Sequence, residues 1–314
     1  MTQPAPSRSP ARSLATGDQW VIGHGSQRAV VTEVGGTLRS YAVGDRQVVD
    51  GFGADEWSHD GRGQVLAPWP NRLGDGRYTF GDTAAQAPLD EPARNNAIHG
   101  LVRWLPWRRV VQAQNRVVVA YTLRPTPAYP WALELEVDYH VGRTGLTVRT
   151  SASNPGAGPV PFGLGFHPYL LPPGGSLDSA VLTVPADRYV VTDERGLPVG
   201  GRPTPGTELD FFSGRPLSGV RLDTCFTGLR RDAAGTAEVR LADPAGGAAA
   251  VALWVDEHFP YVMVFTGDTL APERARRSVA VEPMTCPPDA LRSGTDLIVI
   301  EPGARWSGLW GIRP

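Results

Sequence analysis

Five polar side chains of this 314-residue chain lie in turn-rich or aromatic stretches rather than on plainly solvated faces: Arg72, His99, His167, Asp223 and Glu282. Imidazole and carboxyl groups can donate and accept protons near neutral pH, and a guanidinium with a carboxylate can hold hydroxyl oxygens by hydrogen bonds. The set therefore indicates proton transfer on a neutral ligand rich in hydroxyl groups.

Each of these residues also has a purely structural interpretation. Buried histidines near aromatic rings are often satisfied by backbone carbonyls, a lone Arg commonly forms an ion pair, and a lone Asp commonly caps a turn. Glu282 fits a structural role least, because it directly follows an apolar strand and a buried carboxylate is costly unless it is paired. Pro283 follows it, and we expect this proline to end the strand pairing.

The sequence does not contain the motifs of several other common catalytic sites. The sequence has no HxH, HExxH or Cys/His cluster, which argues against zinc, and we predict neither a metal nor another cofactor. The GxSxG nucleophile motif and the glycine-rich nucleotide loops are also absent. His24 and His59 lie in Gly/Asp/Ser-rich turns and are predicted to be solvated, and Asp256, Glu257 and His258 are predicted to form an exposed turn.

Short segments of β-branched and aromatic residues must position the polar side chains. Gly (37 residues) and Pro (30 residues) recur between segments such as RVVVAYTL, LELEVDYHV and GLTVRTSASN, which are typical of strands. LELEVDYHV alternates apolar and polar residues, and GRTG after it predicts a hairpin turn. Helical periodicity is almost absent, and the candidate helices are the short ADEWS and PPDALRS segments. We predict an all-β protein, a large antiparallel β-sandwich with very few short helices.

The first residues differ in composition from the rest of the chain. Residues 1–17 are rich in Pro, Ser, Ala and Arg and lack the apolar region of a signal peptide, which predicts a disordered lead-in before a single domain at 18–314. No apolar stretch reaches 18 residues, so no membrane partner is expected. Cys225 and Cys286 are far apart and fit no metal or redox spacing, which favours a reduced, cytoplasmic protein.

The charge balance limits the class of partner. All 30 basic residues are Arg, and with 32 acidic residues the net charge is −2. Without a basic surplus, binding to a nucleic-acid backbone is not expected. A small-molecule ligand remains, bound by a monomer or a homodimer.

Six motifs, taken in order, resemble those of the aldose 1-epimerase (mutarotase) family. They are Gly35-Gly36, Asn71-Arg72, Ile98-His99-Gly100, Phe166-His167-Pro168-Tyr169, Asp223, and Glu282 followed by Pro288-Asp289-Ala290. The match runs from VTEVGGTLRSYAV to EPGARWSGLWGI, which is nearly the whole chain after the lead-in. Six motifs in order and at compatible spacing make the resemblance strong.

The resemblance implies a galactose-mutarotase-like fold and interconversion of the α and β anomers of a free aldohexose, with no cofactor. It makes Glu282 the general base and His167 the general acid. It implies substrate binding by the other polar residues of the motifs: Asn71, Arg72, His99, Tyr169 and Asp223. Glu301 lies in the segment that resembles the family's terminal Pro-Gly turn, where the catalytic Glu is not found.

Three alternatives stay open. The PWPNR and EPMTCPPDA segments differ from those of the standard galactose enzyme, which leaves the substrate open. One alternative is a hexose-6-phosphate 1-epimerase, which would need additional cations to bind the phosphate. The side chains available for this are Arg62, Arg77, Arg94 and Arg103. A non-catalytic carbohydrate-binding sandwich would use tryptophans and Arg, although most of the nine tryptophans are expected in the core. A glycoside hydrolase would use Asp223 and Glu282 as its two carboxylates.

Overall fold

The computed structural model describes residues 14–244 and 250–314. Residues 1–13 of the predicted lead-in therefore lie outside the described residues. Residues 14–17 form a turn in which the Gly17 N–H donates to the Leu14 carbonyl at 3.1 Å. Thr16 is buried, and its carbonyl accepts from the Val34 N–H at 3.0 Å, so the packed structure includes these residues as well.

Strands make up most of the regular structure in the described residues. The first thirteen are β1 Gln19–His24, β2 Gln27–Thr32, β3 Leu38–Val43, β4 Arg46–Gln47, β5 Val65–Leu66, β6 Arg72–Gly74, β7 Arg77–Phe80, β8 Thr83–Gln86, β9 Asn96–Ile98, β10 Arg108–Ala113, β11 Arg116–Leu123, β12 Leu133–Gly142 and β13 Gly145–Ser153. The others are β14 Val160–Phe162, β15 Gly165–Phe166, β16 Tyr169–Leu170, β17 Val181–Thr183, β18 Ala186–Thr192, β19 Pro198–Pro203, β20 Arg215–Pro216, β21 Asp223–Leu229, β22 Ala237–Ala242, β23 Val251–Val255, β24 Tyr261–Phe265, β25 Val279–Met284, β26 Ile298–Ile300 and β27 Arg305–Arg313. One short helix, α1 Ala290–Ser293, and a 3₁₀ turn, Pro92–Arg94, complete the described elements.

Two large antiparallel sheets dominate the architecture. In the first, the strand order is β10-β11-β12-β13-β27-β23-β22-β17-β20. In the second it is β19-β18-β21-β24-β25-β15-β5, with β16 paired to β25 as well. Strands β1 to β4 form a smaller sheet, and β14-β26, β6-β9 and β7-β8 are separate pairs.

The two large sheets pack face to face around one hydrophobic core. Phe166 of β15 contacts Trp310 of β27, with ring centroids 4.9 Å apart, so the core joins the two sheets directly. Phe226, Val264 and many other apolar side chains of both sheets belong to the same buried cluster. Full burial of such side chains contributes about 1.5–3 kcal/mol each. The prediction of a large antiparallel β-sandwich is confirmed.

Strand β12 shows why the alternating sequence folds as it does. Its odd-numbered residues from Leu133 to Val141 are buried and the residues between them are half-buried or exposed. Period-two alternation puts one set of side chains on the core face and the other toward solvent. Strands β12 and β13 pair up to Gly142 and Gly145, which leaves Arg143 and Thr144 as the hairpin turn predicted from GRTG.

The two candidate helices have different outcomes. PPDALRS contains α1, whereas ADEWS forms a turn, closed by a 2.9 Å hydrogen bond from the Gly53 N–H to the Glu56 carboxylate. Neither segment is long enough to offset the cost of helix nucleation by itself, so contacts with the surrounding structure decide the conformation of each. No helix in the described residues is long and apolar enough to cross a membrane.

The expectation that Pro283 ends strand pairing is wrong. Strand β25 continues to Met284, and Pro283 lies opposite Val262 of β24. Backbone nitrogens of a strand alternate in direction, so the Pro283 nitrogen faces the same side as the Val281 N–H, which donates to the Pro168 carbonyl at 3.1 Å. The strands on that side, β15 and β16, are interrupted at His167 and Pro168. The missing N–H of Pro283 therefore breaks no hydrogen bond of the sheet.

A sharp backbone turn at Gly100 fixes the segment that carries His99. Gly100 has φ +70°, and a Cβ at this position would overlap the backbone carbonyl of Ala67. Gly81 has a similar φ of +57°, but a Cβ there would have no heavy atom within 4 Å. Glycine is therefore favoured at position 100 both by the positive φ and by the lack of space for a Cβ. At position 81 only the positive φ favours it.

We predict that Gly100→Ala lowers the free energy of unfolding by more than about 3 kcal/mol, because the Ala67 backbone must move in addition to the left-handed strain. Gly81→Ala is the matched control and should cost about 1–2 kcal/mol, the strain alone. Urea unfolding followed by tryptophan fluorescence measures both. Equal losses would show that the Gly100–Ala67 approach does not limit the fold.

Candidate active site

A cavity of about 970 Å³ opens beside β25, and all seven residues that the resemblance singled out line it. They come from five parts of the fold: Asn71 and Arg72 from the start of β6, His99 from the end of β9, His167 and Tyr169 from the β15–β16 region, Asp223 from β21 and Glu282 from β25. Residues more than 200 positions apart in the sequence therefore meet at one site.

His167 and Glu282 form the buried centre of the cavity. The His167 Nε2 lies 3.3 Å from the Glu282 Oε1, and their side chains are only 7% and 3% exposed. His167 is placed by the interruption between β15 and β16: its N–H donates to the Gln64 carbonyl at 3.2 Å and its carbonyl accepts from the Gly63 N–H at 2.9 Å. Glu282 is held by the continuous pairing of β25 with β24.

Burial governs the protonation of this pair. Burial, with a smaller effect of the Asp223 carboxylate, raises the pKa of Glu282 well above its usual range, and Arg72 partly opposes the rise. Burial, with Arg62 and Arg103 nearby, lowers the pKa of His167 to about 3. Both shifts oppose charge separation. The pair therefore favours one shared proton on the carboxyl group beside a neutral imidazole.

His99 is a neutral imidazole with a defined tautomer. Its Nδ1 accepts the Asn71 backbone N–H at 3.2 Å, and because a backbone N–H can only donate, the ring proton is on Nε2. The His99 N–H in turn donates to the Asn71 carbonyl at 2.9 Å. Burial, followed by the charges of His167 and neighbouring Arg residues, lowers the pKa of His99 well below its usual value. Its ring meets His167 edge-on, with centroids 5.3 Å apart.

Arg72 is clamped by two carboxylates. Its Nε and Nη2 donate to the Glu91 carboxylate at 2.9 and 3.0 Å, and its Nη1 lies 3.9 Å from the Asp223 Oδ2. Glu91 also accepts from the Asn96 side-chain amide at 2.9 Å. Sequence reasoning missed Glu91, since nothing in LDEPARNN distinguishes it from a surface acid before a turn. The ion pair that we considered for Arg72 exists, and it lies inside the cavity.

Tyr169 connects His167 to a buried ion-pair network. The two rings are stacked with centroids 4.9 Å apart at 18°, and the Arg62 guanidinium lies 4.2 Å from the centre of the Tyr169 ring. Arg62 is buried and pairs with Asp50 at 3.2 Å and with Asp60 at 2.8 Å. The Tyr169 hydroxyl donates to the Asp60 carbonyl at 3.0 Å. This stack fixes the plane of the imidazole.

The other cations considered for a phosphosugar lie in different places. Arg94 and Arg103 line the cavity, each beside a carboxylate: Arg94 is 4.0 Å from Glu91, and Arg103 is paired with Asp90 at 2.5 Å. Arg77 lies on β7 and lines a separate surface groove. Arg62 is committed to its buried ion pairs.

Two sequence predictions about other histidines have different outcomes. His59 was expected in solvent, but it is half-buried, lines the cavity and packs against Trp57 with ring centroids 4.8 Å apart. Local turn composition could not reveal this, because the cavity forms around the turn from distant elements. His258 is exposed as expected, in a turn where Asp256 accepts its backbone N–H at 3.0 Å.

The sequence profile of the family described as Aldose 1-epimerase matches residues 18–312. The chain belongs to the aldose 1-epimerase family. A relative, the uncharacterized protein YihR of Escherichia coli K12, is 31% identical over 292 residues, which cover 93% of this chain and 89% of YihR. This family membership confirms the resemblance carried by the six motifs.

Solved structures of two aldose epimerase-like proteins share the fold. The GalM/aldose epimerase homologue from C. elegans has a TM-score of 0.83 at 19% identity and covers 94% of this chain and 98% of its own. A galactose mutarotase-like protein from Clostridium acetobutylicum has a TM-score of 0.81 at 18% identity, with 93% of each chain covered. At these identities the likeness concerns the fold alone.

We predict that Arg62→Met lowers the free energy of unfolding by about 3–5 kcal/mol, because it leaves the buried Asp50 carboxylate without its buried cationic partner. Arg277→Met is the matched control: Arg277 pairs with the same carboxylate at 3.2 Å, but its side chain is 56% exposed, so its loss should cost about 1 kcal/mol or less. Urea unfolding measures both variants. A similar cost for the two would contradict the importance of burial.

The stability of the protein should depend on pH through His99. The unfolded imidazole binds a proton near pH 6.5, whereas the folded one does so only at lower pH, so acidification below 6.5 stabilises the unfolded state. We predict that His99→Gln makes the plot of unfolding free energy against pH shallower by about 1.4 kcal/mol per pH unit between pH 6 and 4.5. His140→Gln, on an exposed position of β12, is the control. An unchanged slope in His99→Gln would rule out a buried neutral imidazole.

Proposed function

We propose that this protein is an aldose 1-epimerase that interconverts the α and β anomers of a free aldohexose by opening and reclosing the sugar ring. The observation that carries the proposal is the buried His167–Glu282 pair, 3.3 Å apart, at the centre of a cavity lined with hydrogen-bonding side chains. Membership of the aldose 1-epimerase family supports it.

The reaction requires one base and one acid at the same time. The anomeric hydroxyl must lose a proton while the ring oxygen gains one, after which the C1–C2 bond rotates and the other face of the aldehyde closes. Glu282 takes the first proton and His167 gives the second, and the two groups exchange roles when the ring closes. General acid–base catalysis of this kind increases the reaction rate about 10²–10⁴-fold for each group.

The single proton that His167 and Glu282 share is sufficient for this exchange of roles. The neutral pair and the pair of carboxylate and imidazolium contain the same single proton, so moving it from Glu282 to His167 makes Glu282 the base and His167 the acid. Arg72 favours the carboxylate form of Glu282, since its positive charge opposes the rise in the pKa of that group. Sugar hydroxyls that donate to Glu282 would act in the same direction.

The surrounding residues suit the binding of hydroxyl groups. His99 presents an Nε2–H donor, Arg72 further donors and Asp223 an acceptor, and Tyr169 and Asn71 hold the two imidazoles in place. Fixed donors and acceptors of this kind orient the sugar for attack.

A neutral sugar fits the cavity better than a phosphosugar. Within the described residues, its lining contains five Arg side chains (Arg72, Arg94, Arg103, Arg221 and Arg276) and five acidic ones (Asp60, Glu91, Asp223, Asp268 and Glu282). With the shared proton on Glu282, the lining has five positive and four negative side chains. Two further carboxylates outside it pair with these cations, Asp90 with Arg103 and Asp178 with Arg276, so each of the five Arg side chains already has a carboxylate partner. A glycoside hydrolase or a purely binding sandwich would leave the buried histidine–carboxylate pair without a use.

We predict that Glu282→Gln lowers the mutarotation rate of freshly dissolved α-glucose or α-galactose by at least about 100-fold, with the fold retained. Polarimetry measures the rate, and circular dichroism checks the fold. Glu301→Gln is the control, because Glu301 is exposed and does not line the cavity.

A Glu282→Gln variant with the normal rate would overturn the assignment of this residue. A wild-type protein that binds sugars without changing the rate would be a binding sandwich. Release of nitrophenol from aryl glycosides would instead identify a hydrolase.

A further inference from the structure

A second cavity lies outside the candidate active site, on one face of the small sheet of β1 to β4. Its volume is about 540 Å³, and none of its lining residues also lines the larger cavity. Among the described residues, the ionisable side chains that line it are Arg28, Arg39, Arg274, Arg277, Asp50 and Glu56. Four positive against two negative charges leave an excess of two positive charges in this cavity.

A β-bulge in the small sheet directs one of these Arg side chains into the cavity. The pairing of β2 with β3 is regular up to Val30, which lies opposite Ser40. The next residue, Val31, lies opposite Leu38, so Arg39 is an additional residue on β3. A bulge of this kind redirects side chains. Arg39 and Ser40 consequently both line the cavity, although neighbouring residues of a regular strand point to opposite faces.

Arg28 and Arg39 have no acidic partner within residues 14–244 and 250–314. Arg39 donates from its Nη1 to the Phe52 carbonyl at 3.1 Å, and its Nε is buried without a hydrogen-bond partner in the same part of the chain. Burial, followed by the positive charge of Arg28, lowers the pKa of Arg39. The two cations therefore disfavour each other, and an anion bound in the cavity would offset this repulsion.

The other two Arg side chains of the cavity are only partly balanced. Arg274 lies 3.5 Å from the Glu56 carboxylate, which is 50% exposed. The Arg277 Nε lies 3.2 Å from the Asp50 Oδ1, but the second oxygen of Asp50 is already paired with the buried Arg62 at 3.2 Å. The charge of Asp50 is therefore divided between two cations, and the excess of positive charge extends to this side of the cavity.

A phosphate group matches the charge and the donors of this cavity. A phosphomonoester carries a charge of about −1.5 to −2 near pH 7 and has three terminal oxygens that accept hydrogen bonds. Guanidinium groups bind such oxygens through paired, charge-assisted hydrogen bonds. A single carboxylate carries one negative charge and would leave part of the excess unbalanced. Ser40 and Gln47 also line the cavity, and their hydroxyl and amide groups suit the hydroxyls of a small polar ligand.

We propose that this cavity is a binding site for a small phosphorylated metabolite. Arg28 and Arg39 bind the phosphate group, and Ser40 and Gln47 contact the neutral part of the ligand. The site is separate from the candidate active site, and it does not depend on the proposed epimerase function. No covalent bond is made or broken there.

Isothermal titration calorimetry at constant ionic strength tests the site, with glycerol 3-phosphate, inorganic phosphate and acetate as probes. We expect glycerol 3-phosphate to bind at least as tightly as inorganic phosphate, and acetate to bind at least about tenfold more weakly. Arg28→Gln and Arg39→Gln should each raise the Kd of glycerol 3-phosphate at least about tenfold, equivalent to about 1.4 kcal/mol. Arg240→Gln, at an exposed position of β22 in the first large sheet, is the matched control and should change the Kd less than about twofold, because distant surface charges are screened.

Three results would overturn the proposal. The first is the absence of saturable binding of glycerol 3-phosphate, and the second is equal affinity for acetate. The third is loss of binding in Arg103→Gln with normal binding in Arg28→Gln and Arg39→Gln, which would place the phosphate in the larger cavity. Circular dichroism checks that each variant is folded. Arg28 is exposed, so its variant should keep the fold, and it decides the test alone if Arg39→Gln does not fold.

Discussion

Two ionisable groups, His167 and Glu282, are buried 3.3 Å apart, and much of the surrounding structure is needed to keep them there. Their side chains are only 7% and 3% exposed, which disfavours a charge on either group, so the pair favours the form in which one proton is shared and charge is not separated. The imidazole plane is set by the Tyr169 stack and the close approach of Gly61. The carboxyl group projects from a strand in the interior of the second large sheet, which gives it little freedom to move away.

The position of this pair depends on an irregularity in that sheet. Strands β15 and β16 both pair with β25, but between them the chain departs from the ladder at His167 and Pro168. The departure brings the imidazole over Glu282, and it also leaves a stretch of β25 where Pro283 is tolerated. A regular sheet would pair these backbone groups and would leave no space for a ligand beside the carboxyl group.

Charges around the cavity are balanced locally. Arg62 is neutralised by Asp50 and Asp60, and Arg72 by Glu91 and Asp223. Buried charges are tolerated when they are paired and hydrogen-bonded, and the pairing keeps the cavity without a strong net field. Such an environment provides directional hydrogen bonds and suits a neutral ligand rich in hydroxyl groups.

Local sequence determined much of the fold and the types of residue at the site. Period-two alternation and turn residues predicted the strands and the β12–β13 hairpin, because side-chain burial in a strand depends on near neighbours. The ordered motifs predicted the family and named residues that share one cavity. Predictions from local pattern were wrong where contacts with distant elements determine the conformation. These were the helix at ADEWS, the end of strand pairing at Pro283 and the solvated position of His59. Local pattern also missed Glu91.

Only the tertiary structure decided the distances and the protonation. Asp50 accepts from the Ser278 hydroxyl at 2.8 Å across 228 residues of sequence, and no local pattern specifies such a pair. The same holds for the contact between Trp57 and Trp104, which the composition of their segments does not predict. Burial arises from the packing of the whole chain, and burial sets the pKa of His167 and Glu282. The sequence supplied an imidazole and a carboxyl group, and the fold determined how close they lie and in which direction burial shifts the pKa of each.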